Sequence, residues 1–69
     1  MENDILSTVL NNRIEAIKKD IVSYTKLELD SKTINDKIYY AYMVAESKQT
    51  LKTVKNAIKF INITSELFK

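Results

Sequence analysis

The sequence predicts an all-α fold, an antiparallel hairpin of two long helices that dimerises into a four-helix bundle, and three observations carry that prediction. The 69-residue chain contains neither glycine nor proline, so the glycine turns that link short strands have no seat. Apolar residues recur at three- and four-residue spacings along most of the length. A single segment, "LDSKTIND" at residues 29–36, is rich enough in turn formers to reverse the chain.

The first helix is expected over about residues 4–29. Asn3 is a plausible cap for its start, with Asp4 well placed against the positive end of the helix dipole. Leu6, Leu10, Ile14, Ile17, Ile21 and Tyr24 follow one face, and Ile5, Val9, Ala16 and Leu27 widen that face to roughly half the circumference. One neighbouring helix would not cover so wide a stripe.

The second helix is expected over about residues 34–68. Thr33 with Asp36 three residues later resembles a capping box. One apolar face, Tyr40, Val44, Ser47, Leu51, Val54, Ile58, Ile61 and Phe68, runs to its end. A second face nearly opposite, Ile34, Ile38, Ala41, Tyr42 and Ala45, occupies the first half only. Past residue 47 it gives way to Lys48, Lys52, Lys55 and Lys59, at offsets of four, three and four. The weakest stretch of this helix is "ESKQT" at 46–50, where a break would give a three-helix bundle instead.

At about 1.5 Å per residue the second helix should outrun the first. The overhanging end contains Ile61, Ile63, Leu67 and Phe68. Leaving them wet would forgo roughly 1.5–3 kcal/mol of burial for each. The expected dimer or partner interface is therefore Ile34, Ile38, Tyr42, Ile61, Ile63, Leu67 and Phe68. A homodimer is the simplest cover for them.

Composition narrows the function. Residues 1–69 form a single domain near the lower limit of size for an independent core. With no cysteine and no histidine, neither a disulfide nor an ordinary zinc site can staple the chain. At 45% hydrophobic and 29% charged residues, it is too apolar for disorder. The opening "MENDILSTVL" is acidic where a secretory signal is basic, and the longest apolar run, "IYYAYMVA", is too short to span a bilayer. A cytoplasmic protein with no membrane partner is the resulting expectation. The abundance of Ile, Lys, Asn and Tyr fits the A/T-rich coding of a low-GC bacterium or its phage.

No enzyme is expected, no cofactor and no metal. A general base would have to come from nine carboxylates, a lysine or a tyrosine, held in a concavity that packed helices rarely offer. Without glycine no phosphate-binding loop can form. The expected function is occupancy of a site on another protein, as an inhibitor, adaptor or regulator. The alternatives are nucleic-acid binding through the lysine stripe and a purely structural oligomer.

The stripe itself has two readings. Its like-charge neighbours each cost about 0.2–0.5 kcal/mol, which an anionic partner would relieve. Cross-helix pairing would relieve it too, with Lys48 near Glu15, Lys59 near Asp4, and Lys18 and Lys19 near Glu46. Tyr40 and Tyr42 are expected to fill the two buried faces of the second helix while Tyr39 lies flat on its surface.

Overall fold

With glycine and proline absent, the helices are ended by hydroxyl side chains and backbone bonds at residues 31–33. A computed structural model describes the backbone of residues 2–67 and, within it, the side chains of residues 5–64, 66 and 67. Helix α1 runs Glu2–Asp30 and helix α2 runs Ile34–Leu67. The two pack against each other as a hairpin. Its extents are 54 × 15 × 11 Å.

The ends of the reversal are closed by hydroxyl side chains. Ser31 donates from Oγ to the Leu27 carbonyl at 2.7 Å and from its backbone N–H to the Glu28 carbonyl at 3.2 Å. Two carbonyls that α1 would otherwise leave unpaired are thereby satisfied without a left-handed residue, and no described residue has positive φ. Thr33 then caps α2. Its Oγ1 accepts the Asp36 N–H at 3.2 Å and its carbonyl accepts the Lys37 N–H at 3.1 Å. Asn3, expected as the cap, lies within α1, which already includes Glu2, and its side chain is outside those described. Phe68 lies outside the described residues.

Helix α2 is continuous through residues 46–50, so the three-helix alternative is not adopted. Hydroxyls in and just after this stretch turn back onto the helix itself: Thr50 Oγ1 donates to the Glu46 carbonyl at 3.0 Å and Thr53 Oγ1 to the Gln49 carbonyl at 3.1 Å. Neither side chain diverts the backbone into a turn, the competing outcome for such residues.

A single seam joins the helices. On α1 the inward positions are 7, 10, 14, 17, 21, 24 and 28, alternating three and four residues apart and continued by Ser31 just past its end. On α2 they are 40, 47, 54 and 61, each followed by partly covered residues three or four positions on. This seven-residue repeat is the pattern of a narrow coiled-coil seam rather than a broad globular face. The Tyr24 ring stacks on Tyr40 with centroids 6.4 Å apart, so residues facing each other have numbers summing to about 64. Ile14, Ile17 and Val44 are the buried hydrophobic residues among those described, Ile17 most deeply at 3% exposure.

Two expectations about the core fail for one reason, the narrowness of the seam. Ile5, Leu6, Val9 and Leu27 remain exposed on α1, whereas Ser7 and Glu28 take half-buried seam positions. Ile61, expected at an interface with another chain, is half-buried in this chain's own seam. The overhang is also shorter than expected, since α1 has 29 residues and α2 has 34.

Truncating Ile17 to Ala should cost about 2–5 kcal/mol, read as a lower urea midpoint of the helical circular-dichroism signal. Thr33→Ala should cost about 1 kcal/mol by loss of the cap, with the helical content of the folded protein unchanged.

Candidate interaction surface

Because each helix buries one stripe, every residue off the seam faces solvent in the hairpin. The outer face of α2 is the plainest case. Ile34 is 75% exposed and Tyr42 is 59% exposed, with Ile38 and Ala41 exposed between them and Ala45 exposed beyond. Helical spacing places these five on the side of α2 turned away from α1. The same side continues as Lys48, Lys52, Lys55 and Lys59, all exposed. The outer face is thus apolar toward the turn and basic toward the open end. A shallow surface groove in the basic half is lined by Lys48, Leu51, Lys52, Lys55 and Asn56.

Among the described residues the expected cross-helix pairs of Lys48 with Glu15 and of Lys18 or Lys19 with Glu46 are not formed. Glu15 pairs instead with Lys18 on its own helix, Oε1 to Nζ at 3.6 Å. Among the described residues Lys48, Lys52, Lys55 and Lys59 have no ion pair. Geometry explains this. The stripe lies on the far side of α2, where α1's carboxylates cannot reach across the seam. The suggested Lys59–Asp4 pair involves a side chain outside those described.

The tyrosines separate in a similar way. Tyr40 is half-buried in the seam and stacks on Tyr24, while Tyr39 lies exposed with its ring edge-on to Tyr40 at 5.3 Å. Tyr42, expected to fill a second buried face, is left in water within the hairpin. Of the other expected interface residues, Ile63 and Leu67 are exposed, Leu67 at 76%.

The whole molecule carries more surface than its mass accounts for. A compact 8.0 kDa monomer exposes about 4,450 Å², whereas the hairpin exposes 5720 Å². The surplus, about 1,270 Å², exceeds the roughly 800 Å² that each partner contributes to a standard stable interface.

Other chemistry finds little support in the arrangement. Among the described residues no group of three or more His, Cys, Asp or Glu side chains could hold a metal ion. No helix there is long and apolar enough to cross a membrane. Comparison with known proteins brings no match: no protein family, no characterised protein and no solved structure is significantly similar to the chain.

The unpaired stripe has a measurable consequence. Exchanging Lys52 and Lys55 for Gln breaks all three like-charge contacts and should stabilise the protein by about 0.6–1.5 kcal/mol at low salt. The gain should shrink as ionic strength rises and the repulsion is screened. Thermal melts of both proteins at two salt concentrations measure it.

Proposed function

We propose that this chain is a small non-enzymatic helical protein that pairs with a second copy in a four-helix bundle and acts by binding another protein. The observation that carries the reading is the exposed apolar run Ile34, Ile38, Ala41, Tyr42 and Ala45 on the outer face of α2. An isolated exposed Leu or Ile is ordinary, but a contiguous apolar run bordered by charge marks an interaction surface. Tyr42 adds a side chain with an apolar body and a polar tip, of the kind enriched where proteins meet. The mechanism is occupancy. A rigid helix lays its anchors into a groove of the target, read at three- and four-residue intervals, and so covers or bridges a site there.

The nucleic-acid reading keeps a place because the stripe lysines have no ion pair among the described residues. Lysine is a point charge that binds phosphate without the planar fork that reads bases, so any such binding would be weakly selective for sequence. Four phosphate contacts set a log–log salt slope near −3.6, or roughly 150-fold weaker binding between 50 and 200 mM salt. Fluorescence anisotropy with a labelled duplex measures that slope.

Affinity capture from the source cell decides between the two. A defined protein should be recovered by the wild type, with recovery unchanged by nuclease and lost in the Ile34→Glu/Ile38→Glu variant. Recovery of nucleic acid alone, sensitive to Lys52→Gln/Lys55→Gln, would favour the second reading. Assemblies that grow past a dimer with concentration would favour a structural oligomer over both.

A further inference from the structure

Beside the seam, the two helices share a flank whose charge order is more specific than the outer face of α2. Residues 6, 13, 20 and 27 of α1 and 39, 46, 53 and 60 of α2 each immediately precede a seam position. In an antiparallel pair these two columns border the seam on the same side. They make four rungs about 10.5 Å apart. From the turn outward these are Leu27 with Tyr39, Asp20 with Glu46, Arg13 with Thr53, and Leu6 with Phe60. The order is apolar, acidic, basic, apolar, and all eight side chains are exposed.

None of the three charged side chains in the middle has a partner among the described residues of its own chain. Arg13, Asp20 and Glu46 make no side-chain hydrogen bond or ion pair among the described residues. Arg13 and Asp20 are seven residues apart on one helix, beyond direct contact. Asp20 and Glu46 form a rung of two like charges, and Phe60 is 69% exposed at the open end.

We propose that this flank is the interface with a second copy of the chain. The hairpins run antiparallel about a two-fold axis that crosses α1 near residue 16 and α2 near residues 49–50. Those two crossings lie level to within about two residues in the register set by Tyr24 and Tyr40. The rotation reverses the order of the rungs. Leu27 and Tyr39 then meet the partner's Leu6 and Phe60, and Asp20 meets the partner's Arg13 twice over by symmetry. A two-fold axis along the helices would instead lay each rung on itself and set Asp20 against Glu46 at both ends of the contact. Like charges so placed disfavour that arrangement. The surplus surface of about 1,270 Å² exceeds what one side of a standard interface takes. The outer faces of α2, with their apolar runs and lysine stripes, stay free on both copies.

This assignment rests on the proposal that the chain dimerises, and sedimentation equilibrium separates the two. Asp20→Arg should weaken the dimer roughly 25-fold, about fivefold at each of two symmetry-related contacts. Arg13→Asp/Asp20→Arg should restore it to within about threefold, a recovery that loss of folding could not produce. Orientation is read from Ala16→Cys, the chain's sole thiol. A short bifunctional thiol reagent should link two copies at that position, since residue 16 lies beside its own symmetry mate. A dimer indifferent to both charge variants, or one lost in Ile34→Glu/Ile38→Glu, overturns this interface while dimerisation stands. A wild type that stays monomeric at high micromolar concentration overturns both.

Discussion

The seven-residue seam is the constraint from which the rest of the structure follows. Two helices in contact along one line can each bury only the side chains on that line. Three described hydrophobic residues are buried, none of them completely, and no other element is present among the described residues to cover the remaining faces. The hydrophobic effect scales with area removed from water, so a hairpin of this shape leaves much of its driving force unused. Glycine and proline are absent, and without them the helices run long and the molecule grows in length instead of thickness. Surplus surface is therefore a consequence of composition, and it is what makes partners the natural subject of any functional reading.

Much of this was legible in the sequence because the relevant signals are local. Thr33 and Asp36 announced the start of α2 by chemistry confined to four residues, and the hydrogen bond between them is present. The inner face of α2 was legible because its apolar residues coincide with the seam. On α1 the same approach misled. Following hydrophobicity led to Leu6, Ile5 and Val9, whereas the seam follows spacing and takes Ser7 and Glu28. A seven-residue repeat outranks polarity where two long helices share one seam, and a reading keyed to apolar residues alone cannot see Ser or Glu in a seam. Asn3 was misjudged for a related reason. A good capping residue is only a cap if the chain before it stops being helical, and Glu2 does not. Ile61 was legible as a member of that inner face, and its second assignment, to an interface with another chain, fell with an overhang shorter than expected.

The exposed surface divides into regions of different character. On the flank beside the seam, apolar and charged rungs alternate in an order that becomes complementary on reversal. On the outer face of α2 the apolar and basic halves do not become complementary by any two-fold operation, since lysine would then meet either lysine or isoleucine. A self-complementary surface suits an isologous contact, and one lacking self-complementarity suits a foreign partner. That contrast supports giving the two tasks to different sides of the hairpin, so that one association need not compete with the other.

The lysine stripe bears on what kind of partner the outer face fits. Had these residues served solubility alone, acids three or four positions away would have provided charge and a small stabilisation together. The chain does this on α1, where Glu15 stands three residues before Lys18 and pairs with it. On α2 it does not, and all three contacts along the stripe are repulsive. A cost of about 0.6–1.5 kcal/mol is appreciable in a domain of this size, whose stability is at most a few kcal/mol. A counter-charge on the target would remove it, while the neighbouring run from Ile34 to Ala45 supplies the apolar contact. Of the two halves the apolar one contributes more, at roughly 1.5–3 kcal/mol for each large side chain buried. On the proposed reading the basic half would serve chiefly to set orientation and rate of encounter, which favours a target whose groove is apolar at one end and acidic at the other.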